Sequence, residues 1–316
     1  MLIKAGSNLA KIVKNLGIEG EVIEEEELKK HTTIRIGGPA EVFVKPFSLL
    51  DLEKIIVFTS RNKIPCFILG GGSKVLFPDE MLKGVVLKLN SAFLKKISSY
   101  KEVIKVGSGV KVNELLEWML VNSYGEWEFL AGIPCSLGGA VYLNAGVREA
   151  PGKGKYIQIG DFVKEVTVMD KWGNVATLDR KKLKFNYRES NLTDFIILEI
   201  SLMKKRKKNS QSIRNRIERF LNYRRKTQEL RFPTAGCVFK NPLNIRRSSG
   251  ELIELSGMKG SRIGDVMVSE KHANFFINLG KATAKDFLLL MENVQRKVKS
   301  VHGVWLEPEI KVIRNY

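Results

Sequence analysis

Three glycine-rich segments in the first half of this 316-residue chain constrain its fold more than any other feature. They read Leu69-Gly-Gly-Gly-Ser-Lys74, Val106-Gly-Ser-Gly109 and Ala131-Gly-Ile-Pro-Cys-Ser-Leu-Gly-Gly-Ala140. Glycine tolerates positive φ and has no side chain to block a ligand, so such loops expose backbone amides to a phosphate group. One loop of this kind is usually an ordinary turn, but three of them favour a nucleotide site.

The common nucleotide fingerprints do not account for these loops. The sequence contains neither G-x-G-x-x-G at the start of a helix nor G-x-x-x-x-G-K-[ST]. These absences disfavour the Rossmann fold and the P-loop fold. We therefore expect a pyrophosphate that is bound by loops from two small units.

The pattern of apolar residues predicts an α+β fold. Ser48-x-x-Asp51 and Thr283-x-x-Asp286 indicate helix starts, His302-Gly303 indicates a helix end, and a short amphipathic helix is expected within residues 1–17. The predicted strands cover 34–36, 41–44, 66–69, 103–106, 162–170, 195–202 and 304–306. Lys204–Ser210 has no apolar residue and is the best linker candidate. We predict subdomains over 1–95 and 96–204 and a domain over 205–316.

The charge of the chain is strongly positive, +19 at pH 7. About half of it comes from residues 204–231, where Glu218 and Glu229 are the only acidic residues. Such a block can bind nucleic acid, bind an anionic small substrate, or form a solvated helix face. Composition alone favours the solvated face.

Other function classes are disfavoured by simple counts. The three cysteines and three histidines are scattered, which argues against a zinc site or a disulfide framework. No apolar run reaches the roughly 18 residues of a membrane helix, and the N-terminus lacks the pattern of a signal peptide. We expect a cytoplasmic protein that does not bind membranes.

Eight motifs follow one another along the chain. The chain carries His31-Thr-Thr-Ile-Arg-Ile-Gly-Gly-Pro-Ala40, Leu69-Gly-Gly-Gly-Ser73, Phe129-Leu-Ala-Gly-Ile-Pro134, Gly138-Gly-Ala-Val141 with Asn144-Ala-Gly146, Phe185-x-Tyr187-Arg188-x-Ser190, Pro233-Thr-Ala-Gly-Cys-Val-Phe-Lys-Asn-Pro242, Ser269-Glu-Lys-His-Ala-Asn-Phe275 and Leu306-Glu-Pro-Glu309. In this order they resemble the motifs of the UDP-N-acetylenolpyruvoylglucosamine reductase family, and the resemblance covers nearly the whole chain. The stretch between Arg188 and Cys237 is too short for the extra tyrosine-bearing loop of one subtype, so the chain is similar to the shorter subtype.

The resemblance implies the fold, the cofactors and the reaction. The fold implied is the two-part FAD-binding module of the vanillyl-alcohol-oxidase (PCMH) type, followed by a C-terminal α+β substrate-binding domain. The reaction implied is the reduction of an enolpyruvyl ether of a UDP-sugar by NADPH through tightly bound FAD. We expect a monomer whose partners are small molecules and not nucleic acids.

The family's FAD-binding positions fall on three stretches of this chain. The residues implied are Gly70, Gly71, Gly72, Ser73, Gly132, Ile133, Gly138, Gly139, Asn144, Ala145 and Gly146.

The reaction requires a cation, an acid that polarises the enolate and a proton donor around one carbon. By resemblance, these are Arg188, Glu309 and Cys237. Within Leu306-Glu-Pro-Glu309 the choice lies between Glu307 and Glu309, and the motif points to Glu309. Serine is usual at the position of Cys237, and a thiol of ordinary pKa, about 8.5, can also donate a proton at neutral pH.

By the same resemblance, the basic block and the residues after Cys237 bind the anionic substrate or NADPH. The implied residues are Arg224, Arg225, Gln228, Lys240 and Asn241.

Two alternatives remain open from sequence. A flavin oxidase with the same FAD module would keep the glycine loops without needing Arg188, Cys237 and Glu309 together. An RNA-binding protein would use residues 204–231, but aromatic residues are sparse there, which disfavours base stacking.

Overall fold

A computed structural model of the chain describes residues 8–150, 153–205 and 207–315. The first seven residues of the expected N-terminal helix and Arg206 of the basic block lie outside these ranges. The described chain forms two compact units. Unit 1 comprises residues up to Glu26, Glu41–Gly71 and Lys83–Tyr223, and unit 2 comprises Glu27–Ala40, Gly72–Leu82 and Arg224–Tyr316.

Helices and strands are mixed in both units, which confirms the predicted α+β class. The α-helices of the described chain are Leu9–Lys14, Leu49–Arg61, Val112–Val121, Leu137–Tyr142, Ser210–Thr227, Ser249–Leu255 and Ala284–His302. No helix among the described residues combines the length and apolar character needed to cross a bilayer. The three-part domain division stays a prediction.

The first sheet of unit 1 lies before the second glycine loop in sequence. Its strands, in spatial order, are Glu21–Glu27, Pro39–Lys45, Leu82–Lys88 and Cys66–Leu69. The last two strands are parallel, with Leu69 opposite Lys88. Apolar residues of this sheet and of helix Leu49–Arg61 form one hydrophobic cluster. The first glycine loop therefore begins directly at the end of a strand, Cys66–Leu69, that belongs to a packed sheet.

The second sheet of unit 1 is antiparallel. Its strands, in spatial order, are Val175–Asp179, Val163–Met169, Ile196–Met203, Val103–Gly107 and Ile97–Tyr100. A second hydrophobic cluster, with Trp127 and Phe129 fully buried, packs this sheet against the helices Val112–Val121 and Leu137–Tyr142. Two hairpins complete the unit: Gly146–Ala150 with Lys153–Gln158, and Phe185–Asn186 with Glu189–Ser190.

Unit 2 is built on a four-stranded antiparallel sheet. Its spatial order is Thr234–Cys237, Phe275–Asn278, Val266–Val268 and Arg262–Ile263. Helix Ala284–His302 buries Phe287, Leu290 and Val294 in the core of this unit. The short strands Val75–Leu76 and Lys311–Val312 pair in parallel.

Several predicted element boundaries are confirmed. The Ser48 hydroxyl accepts a hydrogen bond from the Asp51 amide at 3.1 Å, and the Thr283 hydroxyl accepts one from the Asp286 amide at 3.0 Å. Gly303 ends its helix with a φ of 73°, a conformation that favours glycine. The strand predicted over 66–69 is also present.

Two predicted strands are wrong, and several strands of the structure, among them Glu21–Glu27, were not predicted. Residues 34–36 form no strand: Ile34 belongs to a turn, Arg35 has a φ of 56°, and the Thr32 hydroxyl donates to the Ile36 carbonyl at 3.1 Å. Residues 304–306 form no ladder, and the Leu306 carbonyl accepts from the Gln295 side chain instead. Glu21–Glu27, which its charge marks as a solvated stretch, is an edge strand.

Candidate active site

The first and third glycine loops meet in unit 1. A Cβ atom added to Gly70 would lie 2.6 Å from the Ser136 hydroxyl, and one added to Gly71 would lie 2.9 Å from the Cys135 Cα. Only glycine fits at such distances without a shift of the Ser136 side chain at Gly70 or of the Cys135 backbone at Gly71. Gly132, at the start of the third loop, has a φ of 78° and helps the chain turn towards this contact.

The second and third loops also meet. A Cβ atom at Gly138 would lie 2.8 Å from the Ser108 Cβ, and the Gly138 amide donates to the Ser108 carbonyl at 2.9 Å. The Leu137 amide donates to Val110, and the Gly139 amide donates to the Ser136 hydroxyl that caps this short helix. The first turn of helix Leu137–Tyr142 is therefore satisfied within the protein and locks the loops together.

The first loop keeps its hydrogen-bonding capacity. Within the described ranges, the backbone amides of Gly70 and Gly71 have no acceptor. The hydroxyl of Ser108, in the second loop, is buried and has no hydrogen-bond partner among the described residues. Buried or clustered donors of this kind are costly unless a ligand or water uses them. The arrangement can accept an anionic group.

A lysine beside this loop adds positive charge. Lys88 Nζ donates to the Gly70 carbonyl at 2.6 Å. Burial, together with the nearby charges of Lys111 and Lys45, lowers the pKa of Lys88 to about 8. Lys111 pairs with Ser136 through a β-bridge and therefore lies beside the third loop.

The last predicted residues of the FAD set form a network with Arg188. Asn144 is fully buried, donates to the Asn186 carbonyl at 2.7 Å and accepts from the Gly160 amide at 2.9 Å. Arg188 Nη1 donates to the Gly146 carbonyl at 3.1 Å, and its backbone φ is 58°. Non-glycine residues rarely adopt this conformation, so the network holds Arg188 in a specific orientation. Ala145 is buried between these two anchors.

In unit 2, the same glycine run continues into a second cluster. A Cβ atom at Gly72 would lie 1.9 Å from the His31 carbonyl oxygen, and the Thr33 amide donates to the Gly72 carbonyl at 3.0 Å. The Thr33 hydroxyl donates to the Thr234 carbonyl at 2.7 Å. These contacts bring Gly72 and Ser73 close to the strand that ends at Cys237.

Cys237 and Glu309 lie on either side of one lysine. Lys74 Nζ donates to the Cys237 carbonyl at 2.5 Å and forms an ion pair with Glu309 Oε1 at 2.9 Å. The Glu309 side chain is 5% exposed, whereas that of Glu307 is 69% exposed and pairs with Lys240 at 2.6 Å. Burial thus separates the two glutamates of the motif and supports the choice of Glu309.

The loop that carries Cys237 is rigidly held. The register of strand Thr234–Cys237 shifts against its neighbour, and Gly236 has a φ of 70° at this bulge. Asn274 is buried, accepts from the Phe239 amide at 2.9 Å and donates to the Phe239 carbonyl at 2.8 Å.

The predicted substrate residues fall into two groups. Lys240 bonds Glu307, and the Asn241 side chain accepts from the Ser249 amide at 3.0 Å, so both follow directly on the Cys237 loop. Arg225 lies in the last turn of helix Ser210–Thr227, and its carbonyl accepts from Lys271. Gln228 follows this helix and accepts from Arg224 at 3.1 Å. Of the basic residues at this end of the helix, Arg225 and Lys226 are exposed and Arg224 is half-buried.

Ser108 and Lys74 are among the residues of the clusters that were not predicted as site residues. Ser108 lies inside a glycine loop that the sequence points to, and Lys74 directly follows another. Their positions next to glycine turns were the available signal. Their partners, Gly138 for the first and Glu309 for the second, could not be read from spacing alone.

Comparison with known proteins gives matches over nearly the whole chain. The family model "FAD binding domain" matches residues 40–179, and the model "UDP-N-acetylenolpyruvoylglucosamine reductase, C-terminal domain" matches residues 228–313. Two relatives, both named as UDP-N-acetylenolpyruvoylglucosamine reductases, are 37% identical to this chain. The one from Caldanaerobacter subterraneus subsp. tengcongensis aligns over 95% of this chain and 96% of its own length. The one from Symbiobacterium thermophilum aligns over 93% and 92%.

A solved structure gives the same result. The crystal structure of UDP-N-acetylenolpyruvylglucosamine reductase from Thermus caldophilus is 31% identical in sequence. It matches 94% of this chain and 100% of its own with a TM-score of 0.76.

Proposed function

The chain belongs to the UDP-N-acetylenolpyruvoylglucosamine reductase family, and on this premise we propose how its residues perform that reaction. It is an FAD-dependent oxidoreductase that reduces UDP-N-acetylglucosamine enolpyruvate to UDP-N-acetylmuramate, with NADPH as reductant, in peptidoglycan synthesis. The observation that carries this function is a match at 37% identity over 95% of the chain. A flavin oxidase that shares only the FAD-binding module, or an RNA-binding protein, would not be expected to match a reductase of this family over 95% of the chain.

The loop cluster of unit 1 fits a dinucleotide cofactor. The unpaired amides of Gly70 and Gly71, the buried Ser108 hydroxyl and the ammonium of Lys88 suit the linked phosphates of FAD. The cofactor-binding set that we propose is Gly70, Gly71, Gly72, Ser73, Gly132, Ile133, Gly138, Gly139, Asn144, Ala145 and Gly146. Bound FAD would carry two electrons from NADPH to the substrate.

Arg188 provides the permanent cation for the carboxylate of the substrate. Reduction of the enolpyruvyl double bond places negative charge on that carboxylate, and a guanidinium stays protonated throughout the useful pH range. The hydrogen bond to Gly146 and the strained backbone hold this guanidinium in place before the substrate arrives. Prepositioned charge costs little reorganisation during the reaction.

Cys237 supplies the proton. Its Sγ–H gives a proton to the substrate carbon next to the carboxylate, and Glu309 polarises the enolate. The thiol is a stronger acid than the serine hydroxyl usual at this position, and thiols of ordinary pKa remain mostly protonated at neutral pH. Lys240, Asn241, Arg225 and Gln228 bind the anionic parts of the substrate or of NADPH.

We also propose that the protein acts as a monomer in the cytoplasm, where UDP-sugars and NADPH are available. Size-exclusion chromatography with light scattering tests the oligomeric state. A dimer mass across a dilution series would contradict the monomer.

The contact between Gly71 and the third glycine loop gives a prediction about FAD binding. In the Gly71→Ala variant, the new Cβ must displace the backbone of Cys135 and Ser136, because it would lie 2.9 Å and 3.0 Å from their atoms. Overpacking of this kind moves the loops apart, and we expect FAD affinity to fall about tenfold or more. Titration of the apoprotein with FAD, followed by flavin fluorescence, measures this change.

Gly250→Ala is the matched control, because Gly250 lies in helix Ser249–Leu255 and its nearest contact would be 3.4 Å. This variant should bind FAD as the wild type does. Equal FAD affinity in Gly71→Ala and the wild type would contradict the proposed role of the loop.

The proposed function is tested by the absorbance spectrum of the purified protein and its change on anaerobic addition of NADPH. We expect a yellow protein whose flavin band is bleached by a stoichiometric amount of NADPH. A colourless protein that takes up no FAD on refolding would overturn the proposal.

A further inference from the structure

The feature that the proposed mechanism leaves unused is the ammonium of Lys74. It donates to the Cys237 carbonyl at 2.5 Å and pairs with the Glu309 carboxylate at 2.9 Å. One side chain therefore joins the backbone of the proposed proton donor to the proposed enolate-polarising residue. Its own side chain is only 21% exposed.

Backbone hydrogen bonds within unit 2 place Lys74 close to Cys237 and Glu309. The Lys311 amide donates to the Lys74 carbonyl at 2.9 Å, at the start of the parallel pairing of Val75–Leu76 with Lys311–Val312. The Glu309 amide donates to the Val238 carbonyl at 2.7 Å. Three segments that are distant in sequence are thus fixed side by side, with residues 309–311 hydrogen-bonded to both of the others, and the Lys74 side chain reaches both Cys237 and Glu309.

Burial gives the ion pair its importance. Glu309 is almost fully buried, and an isolated carboxylate in such a place is strongly disfavoured. A lone negative charge would also repel the carboxylate of the substrate. Lys74 cancels this charge and fixes the orientation of the Glu309 side chain.

We propose that Lys74 is a positioning residue for the reduction of the enolpyruvyl substrate. It acts through Glu309 by offsetting the charge of the carboxylate and holding it at a fixed position beside the Cys237 loop. The proposal rests on the function and the residue roles proposed above. A purely structural ion pair would stabilise unit 2 without a selective effect on either half-reaction.

The experiment uses Lys74→Met, Lys74→Arg, Glu309→Gln and the double variant Lys74→Met/Glu309→Gln in the full-length holoenzyme. Lys14→Met is the control, because it removes a lysine from a solvent-exposed ion pair with Glu24. Stopped-flow absorbance follows flavin bleaching by NADPH and flavin recovery on addition of the enolpyruvyl substrate separately. Thermal unfolding of each variant gives a readout that is independent of the reaction.

We expect Lys74→Met to keep the rate of flavin bleaching within about twofold and to slow flavin recovery roughly tenfold to a hundredfold. Lys74→Arg should recover most of the lost rate, and Lys14→Met should behave as the wild type. In the Glu309→Gln background, loss of Lys74 should cost much less, in both rate and thermal stability, because the partner charge is gone.

Three results would overturn the proposal. If the stability effects are coupled but flavin recovery in Lys74→Met is normal, Lys74 is structural only and the proposed function stands. If the losses of flavin-recovery rate in Lys74→Met and in Glu309→Gln multiply in the double variant, Lys74 does not act through Glu309. If Glu309→Gln recovers its flavin at the wild-type rate, the proposed role of Glu309 fails and that of Lys74 fails with it.

Discussion

Cys237→Ala should retain normal flavin bleaching by NADPH and lose flavin recovery by the enolpyruvyl substrate, with a rate decrease of about a hundredfold or more. General acid catalysis contributes roughly a hundredfold to ten-thousandfold, and alanine cannot donate a proton. Bleaching depends on the cofactor and NADPH and does not need this proton. Anaerobic stopped-flow measurement of both half-reactions separates the two effects.

Two further variants control this result. Cys66→Ala removes a thiol whose pKa is raised to about 12 by burial, and it should leave both half-reactions unchanged. Cys237→Ser introduces the residue usual in the family and should retain substantial turnover. Wild-type flavin recovery in Cys237→Ala would remove Cys237 from the mechanism.

Arg188→Ala should show a similar defect confined to the second half-reaction. Removal of one preorganised charge from a site of developing negative charge typically costs a hundredfold to a thousandfold in rate, and we expect about a hundredfold here. The Gly146 carbonyl also loses its donor, so a small loss of thermal stability should accompany the kinetic effect. Flavin recovery and thermal unfolding are the measurements.

The matched control is Arg296→Ala, which removes an arginine from an exposed ion pair with Glu292 on helix Ala284–His302. It has the same change of charge and should leave both half-reactions intact. A decrease in flavin bleaching as large as that in flavin recovery would show that Arg188 acts on the cofactor and not on the substrate carboxylate.

The sequence predicts several of the helices and strands because local signals decide them. Ser48 and Thr283 cap helices through hydrogen bonds that span three residues, and Cys66–Leu69 is a short apolar run that ends in glycine. The wrong strand predictions lie where tertiary contacts determine the backbone conformation. Ile34 and Ile36 are buried in the core of unit 2 as part of an irregular segment, although their alternation is that of a strand.

The candidate site was predicted only in part, for a related reason. The glycine motifs identify loops, but their mutual contacts, such as Gly70 with Ser136, come from packing across long sequence separations. Lys74 and Glu309 are separated by most of the chain and meet only because two short parallel strands pair. No pattern of spacing could have revealed that ion pair.

The roles of Arg188, Cys237 and Glu309 and the division into three domains stay predictions. The buried position of Glu309, compared with the exposed Glu307, supports one of these roles. The hydrogen bond that orients Arg188 supports another.

An anaerobic single-turnover reaction tests the central claim most directly. The protein is reduced with one equivalent of NADPH and then mixed with UDP-N-acetylglucosamine enolpyruvate, while flavin absorbance and product mass are followed. The flavin band should return in full, with one UDP-N-acetylmuramate formed for each flavin. A flavin that stays bleached with this substrate and is oxidised only by air would contradict the account.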